Sequence, residues 1–194
     1  MFLIAQFISI ISNPLLFSFP TSFALVYRTT GNLYYSLWWA LFSFLVTFII
    51  AIFVLYGVRR KFFSDFDVSV RPERRPLFIF GALTVFIYAI VILVINGPKV
   101  LLVALTGVAL GIFCDSIINT RIKASIHVAT YTAFALGIAL LYGGVFTIFI
   151  VLIPIVAWSR VTVKRHSLQE TIVGALLGAT LVVIMYLLVK LLVQ

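Results

Sequence analysis

Long stretches of this chain contain no charged residue, and this feature restricts its fold more than any other. Examples are 33–58, 77–96 and 128–159. A helix needs roughly 20 apolar residues to span the hydrocarbon core of a bilayer, and a helix that is apolar on every side is typically surrounded by lipid or buried. The whole chain is 64% hydrophobic and 10% charged, whereas a soluble domain has about 25% charged residues. We therefore predict an integral membrane protein.

Breaks between the apolar runs divide the chain into seven predicted helices within one transmembrane domain, 1–194. The predicted fold class is all-α, an integral membrane bundle of six or seven transmembrane helices with the active site at one membrane face. The first helix has no basic start and no clear cleavage site, so we interpret it as a retained span or half-span. The motifs described below lie in a core of about 59–192, which follows N-terminal helices in 1–58. The predicted helices are 4–28, 33–58, 77–97, 99–119, 125–142, 145–159 and 167–192.

The order of helices and polar loops predicts which loops share a membrane face. Two helices separate loop 59–76 from loop 119–124, and a Gly-Gly turn at 143–144 returns the chain to loop 159–166. These three loops should therefore lie together, and we call their side the polar face. They contain eleven of the 14 Lys and Arg residues. The positive-inside rule would put this face in the cytoplasm. Residues that bind an anionic substrate would also raise the number of Lys and Arg residues here, so the side of the membrane stays open.

Both histidines of the chain stand at helix starts on the polar face. Glu170 follows His166 by four residues, so their side chains share one helical face. A helix N-terminus attracts anions, and arginine donates a fork of hydrogen bonds to phosphate. A histidine held by a carboxylate can act as a nucleophile, while a second one, His127, can protonate a leaving group. Alone, each residue could be an interfacial histidine or a carboxylate that favours a helix start, but their convergence predicts a phosphate site.

The overall charge and the scarcity of acids narrow the function classes further. The net charge is +9, and the basic residues lie in short loops, so we expect membrane lipids and no nucleic acid as partners. Only five acidic residues occur, and none form a tight cluster with metal-ligand spacing, so we expect no metal and no cofactor. The single cysteine, Cys114, excludes an intramolecular disulfide and is expected to be an inert apolar residue. The oligomeric state stays open.

The segment from Ser159 to Glu170 has a specific order of residues: Ser-Arg, five residues, His, three residues, then an acid. This order resembles the third signature of the type-2 phosphatidic acid phosphatase family, in which Asp usually stands where this chain has Glu170. The Gly-Ala-Leu-Leu-Gly segment that follows is also similar to the family's continuation.

Two further segments resemble the other signatures of that family. Segment 123–127, Lys-Ala-Ser-Ile-His, resembles the second signature in the form found in a divergent prokaryotic branch. Segment 65–76 contains the Arg-Pro of the first signature, but Val68 stands where Lys is usual. Its two aspartates and paired arginines are similar to a variant of that branch. The resemblance covers about 60–180.

The resemblance implies a helical bundle and a metal-independent lipid phosphatase. It implies that His166 attacks phosphorus and forms a phosphohistidine, that Glu170 orients His166, and that His127 protonates the leaving group. The implied ligands of the phosphate oxygens are Arg71 with Arg74 or Arg75, together with Lys123, Ser125 and Arg160.

A site where helices emerge from the bilayer predicts a lipid phosphate as the substrate, in a multi-pass protein of the cell membrane. Polyprenyl diphosphate is favoured by analogy with prokaryotic relatives, and phosphatidate and phosphatidylglycerol phosphate are compatible. Two other functions stay open: a lipid phosphotransferase that uses the same histidine, and a non-catalytic transporter or scaffold. A transporter would need charges along an intramembrane path, for which Asp115 is the single candidate.

Overall fold

The computed structural model describes the backbone of residues 1–193 and the side chains of residues 1–190. It is helical throughout, and no β-strand occurs within 1–193. Short 3-10 turns at Pro14–Phe17, Arg71–Glu73 and Gly144–Thr147 connect the α-helices. The helices are α1 (Phe2–Ile11), α2 (Ser18–Thr30), α3 (Leu33–Arg59), α4 (Arg74–Val94), α5 (Lys99–Ile118), α6 (Ile126–Tyr142), α7 (Ile148–Val151), α8 (Ile153–Thr162) and α9 (Leu168–Val193).

Five helical segments in the described chain are long and apolar enough to cross a membrane, and the bent pair of α1 and α2 makes six. Helix α6 is apolar but shorter, with 17 residues. Their outward surfaces are covered with exposed leucine, isoleucine and phenylalanine, as expected where lipid is the solvent. The predicted fold class, an all-α membrane bundle, is confirmed.

The prediction of one continuous first helix, 4–28, is wrong. Helix α1 ends before Ser12, and α2 continues at an angle of 45° after the 3-10 turn. Asn13 has an extended backbone conformation, and its side-chain oxygen accepts a hydrogen bond from the backbone N–H of Leu15. Pro14 starts the new turn because proline has no N–H to continue the previous helix. This cap and proline together end α1 inside the apolar region.

Two other predicted boundaries also need correction. The helix expected from 77 begins at Arg74, because proline is tolerated within the first turn of a helix and Pro76 does not delay the start. The helix expected over 145–159 is divided into a 3-10 turn, α7 and α8. The first correction matters most, since it places Arg74 on the first turn of α4.

Helices α6 and α9 form the most extensive contact between elements. Gly174 lies against the backbone of Ser125, and Gly178 lies against the carbonyl of Ala129. The backbone N–H of Ser125 also donates to the carbonyl of Glu170 across 3.0 Å. Small residues at helix contacts allow this close approach in membrane bundles. The contact brings the N-terminus of α6 beside the N-terminus of α9.

Hydrogen bonds between side chains and carbonyls tie the three polar loops together. Arg71 donates to the carbonyl of Asn119 from two nitrogens, at 3.0 and 2.7 Å. Arg74 donates to the carbonyl of Ala124 across 3.0 Å, and Lys123 donates to that of Arg165 across 3.0 Å. The predicted convergence of these loops on one face is confirmed.

We expect Gly178→Ala to lower the free energy of unfolding by about 1–3 kcal/mol, because its Cβ would overlap the carbonyl of Ala129. Gly137→Ala is the matched control in the same helix pair, since its Cβ would meet only a methyl of Val182 at 3.3 Å. The control should be neutral or slightly stabilised by its better helix propensity. Thermal unfolding of both variants in detergent checks this, and equal midpoints would contradict the importance of the contact.

Candidate active site

His166 stands just before α9 and is held by a local network of hydrogen bonds. Its Nδ1 lies 3.0 Å from Oε2 of Glu170. The same carboxylate oxygen accepts from the backbone N–H of Ser167, and the Ser167 hydroxyl accepts from the backbone N–H of Glu170. This reciprocal arrangement is a capping box, which fixes the start of a helix. Glu170 therefore caps α9 and fixes the ring of His166 at the same time.

The partner of Nδ1 determines which nitrogen of His166 is reactive. A hydrogen bond from the neutral ring to a carboxylate requires the proton on Nδ1, so the lone pair is at Nε2. The His166 side chain is buried, with 3% of its surface exposed, whereas 21% of Glu170 is exposed. A buried imidazole with a fixed tautomer and a free lone pair has the properties of a nucleophile.

Electrostatics keep His166 neutral. Burial lowers the pKa of the ring most, and the nearby positive charge of Arg160 lowers it further. Lys123 and Arg74 act in the same direction against the attraction of Glu170, and the pKa falls from its ordinary 6.5 to about 4. The ring is thus unprotonated at neutral pH, as nucleophilic attack requires.

His127 is buried on the first turn of α6. It lies close enough to His166, Arg160, Arg74 and Asp67 for their charges to interact with it. The helix start also gives it a local positive potential from unpaired N–H groups. The two histidines therefore share one cluster of cations.

Arg160 lies at the centre of this cluster and is almost fully buried. One terminal nitrogen donates to Oδ2 of Asp67 across 2.9 Å, and the other donates to the hydroxyl of Ser9 on α1. Its Nε is buried and has no partner among the side chains and backbone of the described residues. Burial would raise the pKa of Asp67, but Arg160 outweighs it, with help from His127 and Arg165, and the pKa lies below its usual value. Asp67 is thus the counter-ion of Arg160.

The arginines of segment 71–75 have different environments. Arg74 is 2% exposed and donates to the carbonyls of Val68 and Ala124 at 3.2 and 3.0 Å. It lies close enough to Arg160 and Glu170 to interact with their charges. By contrast, Arg71 and Arg75 are exposed, and Arg71 is bound to the end of α5 through the carbonyl of Asn119. The structure therefore brings Arg74 into the cluster and leaves the other two outside it.

Val68 holds an unusual conformation beside Arg74. Its φ is 47°, which is a genuine outlier for a β-branched residue. The side chain is buried in an apolar cluster with Val54 and Phe63, and its carbonyl accepts from Arg74. A strained backbone conformation of this kind persists where the surrounding packing and hydrogen bonds hold the residue in place. Here it orients a carbonyl that holds the buried guanidinium.

Lys123 and Ser125 complete the set of residues expected from the sequence. The Lys123 ammonium lies close enough to His166 to affect its charge and has one hydrogen bond, to the carbonyl of Arg165. The Ser125 hydroxyl is fully buried, and within the described residues it has no hydrogen-bond partner. A buried hydroxyl without a partner has a free donor for an incoming ligand.

A cleft of about 380 Å³ opens onto the cluster from the side of α1. His127 and Arg160 line it from the bundle, Asp67 from the loop, and Gln6 and Ser9 from α1. The sequence does not predict this wall from α1, because no motif marks its polar residues. It also predicts no role for Asp67, which stands only in an Asp-rich segment. Among residues 1–190, no three His, Cys, Asp or Glu side chains are grouped to hold a metal ion.

A known protein family matches the C-terminal part of the chain. Residues 114–193 match the model of the PAP2 superfamily. The matched residues include segment 123–127 and the segment from Ser159 to Glu170, whereas the arginines of segment 71–75 precede them. The resemblance to this phosphatase family is therefore confirmed, and the prokaryotic branch stays a prediction. No curated protein and no solved structure matches the chain.

We expect an NMR titration of the histidine rings to show that His166 stays neutral until the pH falls to about 4. Because the unfolded ring takes up a proton near pH 6.5, this group should reduce stability as pH falls from about 6.5 to 4. Arg160→Gln should raise the pKa of His166, since it removes the strongest nearby positive charge. Lys99→Gln, at the opposite end of the bundle, should leave it unchanged. A His166 pKa near 6.5 in the wild type would contradict the described electrostatics.

Proposed function

We propose that this chain, whose residues 114–193 belong to the PAP2 superfamily, is a membrane lipid phosphatase that works through a phosphohistidine. The family supports a phosphatase and hydrolase, and the apolar helices support a multi-pass membrane protein. The observation that carries the proposal is the hydrogen bond between the buried His166 and Glu170, beside a second histidine and two buried arginines. The substrate class and the location in the cell membrane are parts of the proposal.

The first chemical step transfers the phosphoryl group to His166. Its Nε2 lone pair forms a bond to phosphorus while the bond from phosphorus to the leaving oxygen breaks. His127 gives its proton to that oxygen, so the lipid leaves as an alcohol, or as a monophosphate when the substrate is a diphosphate. The negative charge of the bound phosphate favours the protonated form of His127 before this step.

The second step returns the enzyme to its starting state. His127, now neutral, takes a proton from a water molecule, and the resulting oxygen attacks the phosphohistidine. The nitrogen–phosphorus bond breaks, inorganic phosphate leaves, and His166 regains its lone pair. Glu170 keeps Nδ1 of His166 protonated throughout and stabilises the positive charge that the ring carries while phosphorylated.

Cations and a hydroxyl supply the electrostatic stabilisation of the transferring group. Arg160 and Arg74 are fixed and buried, so their donors need little reorganisation when charge develops on the phosphate oxygens. Lys123 and the unpartnered hydroxyl of Ser125 can complete the shell. We propose metal independence because this shell supplies the positive charge that metal ions provide in other phosphatases.

We favour polyprenyl diphosphate among the lipid phosphates, by analogy with prokaryotic relatives. Phosphatidate and phosphatidylglycerol phosphate have the same reactive group and are the other substrates to compare.

The main test is phosphate release from a panel of lipid phosphates by the purified protein in detergent, with EDTA present. We expect release by the wild type and a loss of at least about a thousandfold in His166→Ala, since a covalent nucleophile cannot be replaced by water at the same site. A lipid phosphate with a radioactive phosphoryl group should transfer its label to the wild type and not to the variant. Full activity of His166→Ala, or loss of wild-type activity in EDTA, would overturn the mechanism. Phosphorylation of an added lipid alcohol in place of phosphate release would identify a phosphotransferase.

A second prediction separates the two neighbouring arginines. Arg74→Lys should lower kcat by about a hundredfold, the usual effect of removing one donor to a transition state. Arg75→Lys should have little effect, because that side chain is exposed outside the cluster. Thermal unfolding of both variants controls for structural damage. A larger loss in Arg75→Lys would assign the phosphate ligand to Arg75, and equal losses would contradict the assignment to Arg74 alone.

A further inference from the structure

The break in the first span leaves an apolar groove between that span and α3. The groove has a volume of about 280 Å³. Ile10 and Asn13 line it at the end of α1, Leu16 lines it from the 3-10 turn, and Phe44 and Ala51 line it from α3. A straight first helix would not turn away from α3 at this point, so the groove is a consequence of the Asn13–Pro14 break.

The groove lies at the depth of lipid chains. Helix α3 reaches the polar face at Arg59. With a rise of 1.5 Å per residue, Ala51 lies about 12 Å and Phe44 about 23 Å along the helix from that end. The hydrocarbon core of a bilayer is about 30 Å thick, so this part of α3 is inside it.

The groove adjoins the cleft of the candidate active site. Ile10 and Asn13 line both. On one side of this pair the cleft contains Ser9, His127 and Arg160. On the other side, the groove is lined by apolar side chains. The oxygen of Asn13 is already occupied by the backbone N–H of Leu15, so the groove has little to bind a polar ligand. Two adjoining depressions, one charged and one apolar, therefore meet at Ile10 and Asn13.

We propose that this groove is the binding site for the hydrocarbon chain of the substrate, with the phosphate of the same molecule in the cleft. The inference rests on the proposed function. Its basis is the match between these two adjoining depressions, one charged and one apolar, and the two ends of a lipid phosphate. An apolar chain gains nothing from leaving bulk lipid for an apolar groove. The groove therefore selects the chain through its shape and its position beside the phosphate site.

The chain site lies outside the segment that matches the PAP2 superfamily. Its residues belong to α1, the 3-10 turn and α3, all before residue 60, whereas the match begins at residue 114. The two histidines and the proposed choice of lipid thus belong to different parts of the chain. Substitutions in the groove should change which lipids react and leave the reaction itself intact.

Ala51→Phe tests this division, because the larger side chain would fill the groove. We expect kcat/KM for a long-chain lipid phosphate to fall about tenfold, within the range usual for steric discrimination in apolar pockets. Activity toward a short-chain, water-soluble phosphate ester should stay unchanged, which also shows that the variant is folded. Ile52→Phe is the matched control, since Ile52 is on the same helix, is 52% exposed and does not line the groove. Equal effects on long and short substrates, or equal effects of the two variants, would overturn the proposal.

A binding experiment provides a second test that does not depend on turnover. A lipid phosphate with a diazirine in the middle of its chain should label α3 around Phe44 and Phe48, which both line the groove. Unlabelled lipid phosphate should remove this labelling, and the matched lipid alcohol without phosphate should not. Equal competition by both would mean that the groove holds bulk lipid only, and would overturn the inference. If the wild type releases no phosphate from any substrate, the proposed function fails first, whatever the labelling shows.

Discussion

The contact between α6 and α9 is the constraint on which the rest of the site depends. Two glycines of α9 lie against the backbone of α6, and the Ser125 N–H donates to the carbonyl of Glu170. Because both helices start at this point, the contact places His127 beside His166 and directs two helix N-termini toward the same space. The capping box then fixes His166 on α9. The close helix contact and the capping box therefore fix the positions of the two histidines relative to each other.

Much of this arrangement could be predicted from the sequence, because the signals are local or periodic. Uncharged runs identify the helices, and the alternation of loops predicts that loops 59–76, 119–124 and 159–166 meet. The interval of four residues between His166 and Glu170 predicts their contact. The broken first helix was not predicted, since Asn13 and Pro14 end a helix only if no neighbour compensates, and hydropathy continues through them. The choice between Arg74 and Arg75 depends on which side of α4 faces the bundle. The sequence at the start of this helix does not show which side that is.

Ser9 and Asp67 could not have been assigned from their own segments. Each is defined by a contact with Arg160, which is 151 residues from Ser9 and 93 residues from Asp67. No local pattern encodes a partner so distant, and both precede the part of the chain that matches a family. They show that the N-terminal segment contributes to the electrostatics of the site as well as to its shape.

The pairing of Arg160 with Asp67 explains how a buried cation can be stable in this cluster. An unpaired guanidinium in this environment would be costly, so a counter-ion is required. Arg160 is 2% exposed, whereas 22% of the Asp67 side chain is exposed at the cleft. The carboxylate is therefore the partner that can return to water at lower cost. Under the proposed function, we expect a phosphate dianion to replace Asp67 on Arg160, because it brings more charge and more acceptor oxygens than the carboxylate.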